Sequence, residues 1–147
     1  MSLITDQVFY NALRQNADLM AMVGGRIENT SIPVPDDDLA NQPLPYIIIT
    51  YDGMQNDGFT KDDDYEGNVD KVQIGIEAAA SDRETLGDIM QSVRATVKEY
   101  FANAEEGSDD YNLVPFGYAL KATPVAYDSL VPCYYQTLQY ECDTNPE

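Results

Sequence analysis

The chain has 147 residues, 44% of them hydrophobic, which suits one domain over 1–147 with a buried core. Net charge is −18, from 26 acidic and 8 basic residues, and no third of the chain is basic. Gripping nucleic acid takes Lys and Arg to neutralise phosphates, and anionic lipid repels an acidic surface, so both tight nucleic-acid binding and membrane binding are disfavoured.

Thr5 and Asp6 read as a helix start with Thr5 as N-cap, and Val8, Phe9, Ala12 and Leu13 recur at helical spacing. Asn16 caps a short second helix whose stripe of Leu19, Met20 and Val23 reads as core. Gly24 and Gly25 end it, because glycine reaches the left-handed conformation cheaply. Residues 28–43 are polar, carry Pro33, Pro35, Asp36, Asp37, Asp38 and Pro43, and read as a surface loop. Tyr46 to Tyr51 is an apolar, β-branched run, a strand buried on both faces. Asp52 to Asn68 is polar and acidic, either a long excursion or the tip of an extended hairpin.

Val69 to Ala80 alternates, with Val72, Ile74, Ile76 and Ala78 on one face and Lys71, Gln73, Gly75 and Glu77 on the other. That is a half-buried strand, antiparallel to the first. Ser81 to Glu84 fits a capping box, and Leu86, Ile89, Met90, Val93, Val97 and Phe101 follow at spacings of three and four. They predict a helix of about 20 residues packed on the sheet. Glu105, Glu106, Asp109 and Asp110 form an exposed acidic loop. Leu113 to Thr123 reads as a third strand, Pro124 to Ser129 as a turn, and Leu130 to Cys142 as a fourth strand with Tyr134, Leu138 and Tyr140 on one face. The order α(α)ββαββ predicts an α+β fold. A four-stranded, mainly antiparallel sheet would carry the N-terminal helix and the long helix on one face.

Chemistry is hard to find. There is no histidine, which removes Ser-His and Cys-His pairs, histidine metal ligands and the usual general base. No G-x-S-x-G, Walker A or G-x-G-x-x-G motif occurs. Cys133 and Cys142 on one strand would lie roughly 30 Å apart at ~3.3 Å per residue, on opposite faces. A disulfide needs Cα atoms within about 7 Å, so no internal bridge is expected. No catalytic residue and no cofactor is assigned, and the expectation is a protein that is not an enzyme. A hydrolase using paired carboxylates would need a cleft and a carboxyl group of raised pKa.

Two local biases carry alternatives. Asp62, Asp64, Glu66, Gly67, Asn68 and Asp70 match positions 1, 3, 5, 6, 7 and 9 of a calcium loop. However, Gln73 stands where the bidentate Glu belongs, and a strand follows rather than a helix. The segment reads as an acidic hairpin flank, with Asp62, Asp64, Glu66 and Asp70 as weak metal candidates. Eleven tyrosines offer either core filling or interface contacts. Tyr134 and Tyr135 must point to opposite faces, one expected in the core and one exposed. No signal peptide and no long apolar run is visible, so the expected site of action is the cytoplasm of the producing cell.

The sharpest block runs from Met22 to Thr50: Gly24-Gly25-Arg26-Ile27, a polar loop, then Pro43-Leu44-Pro45-Tyr46-Ile47-Ile48-Ile49-Thr50. It resembles the small tail-terminator (tail-completion) proteins of long-tailed bacteriophages and prophages, and the later strand and helix order agrees. The resemblance implies a structural protein assembling into a ring, commonly a hexamer, at the head-proximal end of the tail tube. The ring stops tube growth and joins the head connector. Partners would be further copies of itself, the tail tube protein and the head-tail connector protein. The location would be the bacterial cytoplasm during assembly and then the virion tail. A neck or head-completion protein is the nearest alternative, and a soluble ion- or ligand-binding module built on the acidic loops is another. In a ring, the acidic surplus would repel DNA phosphates over about a Debye length, ~8–10 Å. The candidate bore or rim loops are those around Asp62, Asp63, Asp64, Glu105, Glu106, Asp109 and Asp110. The bland reading of the charge is solubility.

Overall fold

The computed structural model describes residues 2–29, 36–56, 69–104 and 114–145. Two long strands, β3 (Asp70–Ala80) and β6 (Cys133–Thr144), pair antiparallel from Asp70 opposite Thr144 to Ala80 opposite Tyr134. β2 (Tyr46–Asn56) pairs antiparallel with the other side of β3. β1 (Ile27–Asn29) adds parallel to β2, and β4 (Gly117–Ala122) pairs antiparallel with β6. The sheet order is β1-β2-β3-β6-β4, with β5 (Ala126–Asp128) pairing the first residues of β6.

Alternation along the strands decides where the core sits. Ile47 and Ile49 of β2, Val72, Ile74, Ile76 and Ala78 of β3, and Leu138, Tyr140 and Cys142 of β6 share one buried cluster. Three helices cover it: α1 (Thr5–Arg14), α2 (Ala17–Met22) and α3 (Arg83–Ala102). They contribute Phe9 and Leu13, Leu19, and Leu86, Ile89, Met90, Val93 and Val97. Each such side chain, fully buried, contributes about 1.5–3 kcal/mol. Four rings close a cycle that ties α1 and α3 to β4 and β6. Phe9 meets Phe101 at 5.2 Å and Tyr140 at 5.1 Å, and Tyr118 meets Phe101 at 5.6 Å and Tyr140 at 5.5 Å.

The block that is most recognisable in the sequence has a mechanical explanation. Gly24 and Gly25 take φ of 59° and 75° and turn the chain out of α2. Arg26 then donates from Nε to the Pro45 carbonyl and from Nη2 to the Leu44 carbonyl, both at 2.9 Å. It thereby fixes the start of β2 beside β1, and the Leu44–Pro45 peptide is cis. A Cβ at Gly24 would lie 2.8 Å from Arg26 Nη1, so the close approach of this guanidinium needs glycine there. Asn16 caps α2 by accepting from the Asp18 and Leu19 amides at 3.1 Å, and its Nδ2 donates to Thr96 Oγ1 on α3 at 2.8 Å.

Several expectations need correction. Among the described residues the sheet has six strands rather than four. β1 and β5 have three residues each, too few for alternation to repeat, and they exist because a longer neighbour offers them a ladder. The stretch 124–129 is therefore not all turn. The turn falls at 129–132, where Asp128 Oδ1 accepts from the Leu130 amide at 2.8 Å. Thr5 is the first residue of α1 and fully buried, with Ile4 in the cap position behind a 3-10 turn over Ser2–Ile4. Asp82 rather than Ser81 caps α3, accepting from the Thr85 amide at 2.8 Å. The carboxylate reaches an amide three residues on, and the helix starts one residue late. Residues 52–56 continue β2, which stays paired with β3 as far as Asn56 opposite Asp70, and the remainder of the acidic stretch lies outside the described residues. A register shift between Tyr51 and Gly53 marks a bulge there.

Two stability predictions follow from these contacts. Among the described residues nothing partners the buried Tyr140 hydroxyl, and a buried unpaired polar group is costly. Tyr140→Phe should keep the ring cycle and raise stability by about 1 kcal/mol in urea unfolding; a lower midpoint would refute that reading. Arg26→Ala removes two charge-assisted bonds to carbonyls and should cost about 2 kcal/mol, and an unchanged midpoint would show that the start of β2 holds without it.

Candidate interaction surfaces

The second face of the sheet is treated in two ways along its length. At one end Tyr46, Ile48, Ala79, Val131 and Cys133 form a second buried cluster, joined by half-buried Leu39, Leu44 and Tyr135. Leu39 comes from the 3-10 segment Asp36–Asn41, which covers this end. Tyr134 packs on the helix-side core and Tyr135 on this one, so both are half-buried and neither is the exposed member expected. Toward the other end the face presents small and polar residues. Asp52, Gln73, Ala119, Lys121, Gln139 and Glu141 line a groove of about 300 Å³ there. Thr50 Oγ1 donates to Asp52 Oδ1 at 2.8 Å, and both side chains fold over Gly75, where a Cβ would come within 2.7 Å of each. Lys71 pairs with Asp143 at 3.1 Å on the same face.

Acidic groups meet at the covered end. Burial, aided by the nearby Asp128 charge, pushes the Glu77 carboxyl above the ordinary range. Burial and the Glu77 charge likewise raise the Tyr46 hydroxyl. Cys133 is pushed up to about 11, by burial and then by Asp128 and Glu77. Cys142, on the opposite face of β6, is raised to about 12, chiefly by burial. Both thiols are free, and they lie on opposite faces as their odd spacing requires. A raised carboxyl beside a second carboxylate is what a paired-carboxylate hydrolase needs. Glu77 and Asp128 nevertheless line neither the groove above nor the one below.

Of the metal candidates, Asp62, Asp64 and Glu66 lie outside the described residues. Asp70 is buried in β3, and its carboxylate accepts from Asn56 Nδ2 at 2.6 Å, closing the hairpin. Among the described residues no three His, Cys, Asp or Glu side chains gather as metal ligands. The interface candidates Asp63, Glu105, Glu106, Asp109 and Asp110 also lie outside the described residues. No described helix is long and apolar enough to cross a membrane.

The sequence reading missed a different surface. Phe116, Tyr118, Tyr127 and Leu130 are exposed although large and apolar, and all lie along the outer edge formed by β4, β5 and the turn after β5. Beside Tyr118 and Leu120, α3 contributes Gln91, Arg94, Ala95 and Lys98 to a groove of about 380 Å³. The abundance of tyrosine was a signal, but an edge exists only once strand pairing is known.

No protein-family model matches this chain. No curated protein matches it either. Among solved structures it is similar to a chain of the "Virion of native gene transfer agent (GTA) particle", with a TM-score of 0.62 at 14% identity. The likeness covers 94% of this chain and 92% of that one, so the fold is shared over nearly the whole length of both.

The Glu77 environment makes a pH prediction. A carboxyl whose folded pKa is raised binds a proton more readily folded than unfolded, so its charge costs stability above its unfolded value and costs nothing below it. Glu77→Gln should therefore raise the thermal midpoint at pH 7, with the gain fading as the pH falls toward the ordinary value of 4.5. Midpoints of both proteins measured across pH 4–8 test this, and identical curves at neutral pH would remove the proposed cost of burial.

Proposed function

We propose that this chain is a structural subunit of a phage-type particle and acts as a tail terminator. In this role it forms a ring at the head-proximal end of the tail tube, stops tube growth and presents a surface to the head connector. The observation that carries the reading is the fold shared over 94% of this chain with a component of a virion. The Gly-Gly-Arg-Ile and Leu-Pro-Tyr-Ile blocks, which resemble the tail-terminator pattern, support the finer assignment. In this structure they are joined by the Arg26 contacts to Leu44 and Pro45.

The proposal assigns no reaction. Its chemistry is contact and charge: subunits associate through surfaces, and a net charge of −18 keeps DNA phosphates from adhering to the bore. A neck or head-completion protein of the same kind of particle draws support from the same shared fold.

Light scattering across concentration, with and without magnesium, followed by negative-stain imaging of the largest species, tests the ring. The expected outcome is a closed ring with a hole wide enough for duplex DNA. Co-sedimentation separates the two roles, with tail tubes expected to capture the protein. Capture by portal–connector complexes instead would favour the neck reading. Failure to form rings alone and to bind either assembly would overturn both.

A further inference from the structure

Among the described residues no strand pairs with the outer side of β4 and β5, and exposed apolar side chains collect along this edge. β4 and β5 follow each other along β6, bridged at Thr123, whose amide bonds to the Thr137 carbonyl at 2.9 Å. Gln136 Nε2 donates to the Thr123 carbonyl at 2.8 Å and the Thr137 amide to Thr123 Oγ1 at 3.0 Å, so side-chain bonds hold the gap between β4 and β5 against β6. Inward and outward amides alternate along an antiparallel strand. Ala119 and Lys121 therefore share the inward direction of Thr123, and Tyr118, Leu120 and Ala122 turn their backbone groups outward. Of seven exposed large hydrophobic residues among those described, four sit on this edge: Phe116 at 62%, Tyr118 at 38%, Tyr127 at 56% and Leu130 at 69% exposure. A free edge with an apolar border is a place where another chain docks.

Charge selects the occupant. Arg94 and Lys98 line the adjoining groove and Lys121 lies on β4, so three of the eight basic residues flank this edge. Among the described residues none of the three has an ion-pair partner. At the opposite edge of the sheet, Glu28 lies on β1 and Asp6 accepts from Asn29. The arginines there, Arg14 and Arg26, donate to backbone carbonyls of Ile27, Leu44 and Pro45. Copies of so acidic a chain repel one another except where unlike patches meet. An edge lysine ordinarily guards against indiscriminate pairing, and an acidic partner neutralises that guard.

We propose that the β4–β5 edge, with the groove beside α3, is the docking surface for a second copy of this chain, which approaches with its acidic β1–β2 edge. The inference rests on the ring reading above and deepens it. A closed ring is built from heterologous contacts, which need two different surfaces on each copy, and opposite edges of one sheet supply them.

The test compares the wild type with Ala122→Pro and with the double variant Arg94→Glu, Lys98→Glu. Proline at 122 removes an outward amide and leaves the pairing with β6 in place. Circular dichroism checks that each variant folds, and light scattering and imaging read assembly. The expected result is wild-type rings, with both folded variants shifted to monomer by about tenfold or more in association. Folded variants that form rings as readily as the wild type would overturn the edge assignment and leave the ring reading standing. A wild-type chain that stays monomeric at every concentration and on tail tubes would overturn both.

Discussion

One constraint organises the molecule: three long strands carry apolar side chains continuously on one face only. β2, β3 and β6 put Ile47, Ile49, Val72, Ile74, Ile76, Leu138, Tyr140 and Cys142 on the same side, and that side must leave water. The helices all go there. The opposite face then needs only the cover that Tyr46, Ile48, Ala79 and Cys133 require, which the segment around Leu39 and Leu44 provides. The rest of that face can remain polar, as Gln73, Gln139 and Glu141 are. Because the described helices occupy one face rather than wrapping the sheet, they do not cover its edges.

The parts legible in the sequence were those whose signal repeats within one element. α3 shows five buried residues at helical spacing, and β3 alternates through most of its length, so both were placed almost to the residue. The faces of Tyr134, Leu138, Tyr140 and the two cysteines followed from parity alone. What escaped depends on neighbours distant in sequence. β1 is a strand because Ile27, Glu28 and Asn29 lie beside Ile47, Ile48 and Ile49, and three residues show no period of their own. β5 hid behind Pro124 for the same reason. The candidate surface was less legible still, since nothing local distinguishes Tyr118 on an edge from a tyrosine in a core.

The resemblance in the Met22–Thr50 block and the shared fold concern different levels. The first is a set of residues, Gly24, Gly25, Arg26, Leu44 and Pro45, whose structural task is to join the end of α2 to the start of β2. The second concerns the arrangement of all elements over nearly the full chain. In the proposed role, a subunit whose work is association can keep its specific features in a turn, an edge and a charge distribution, and its interior needs only to be rigid.

That interior has a practical consequence. Both thiols are buried, on opposite faces of β6, and both are held in the protonated form that reacts poorly with electrophiles. The native fold is in effect a cysteine-free background. A single cysteine introduced at a surface position would be the one readily alkylated thiol of each folded molecule. Fluorescent or crosslinking probes could then be placed one site at a time without first removing Cys133 or Cys142 from the packing they complete.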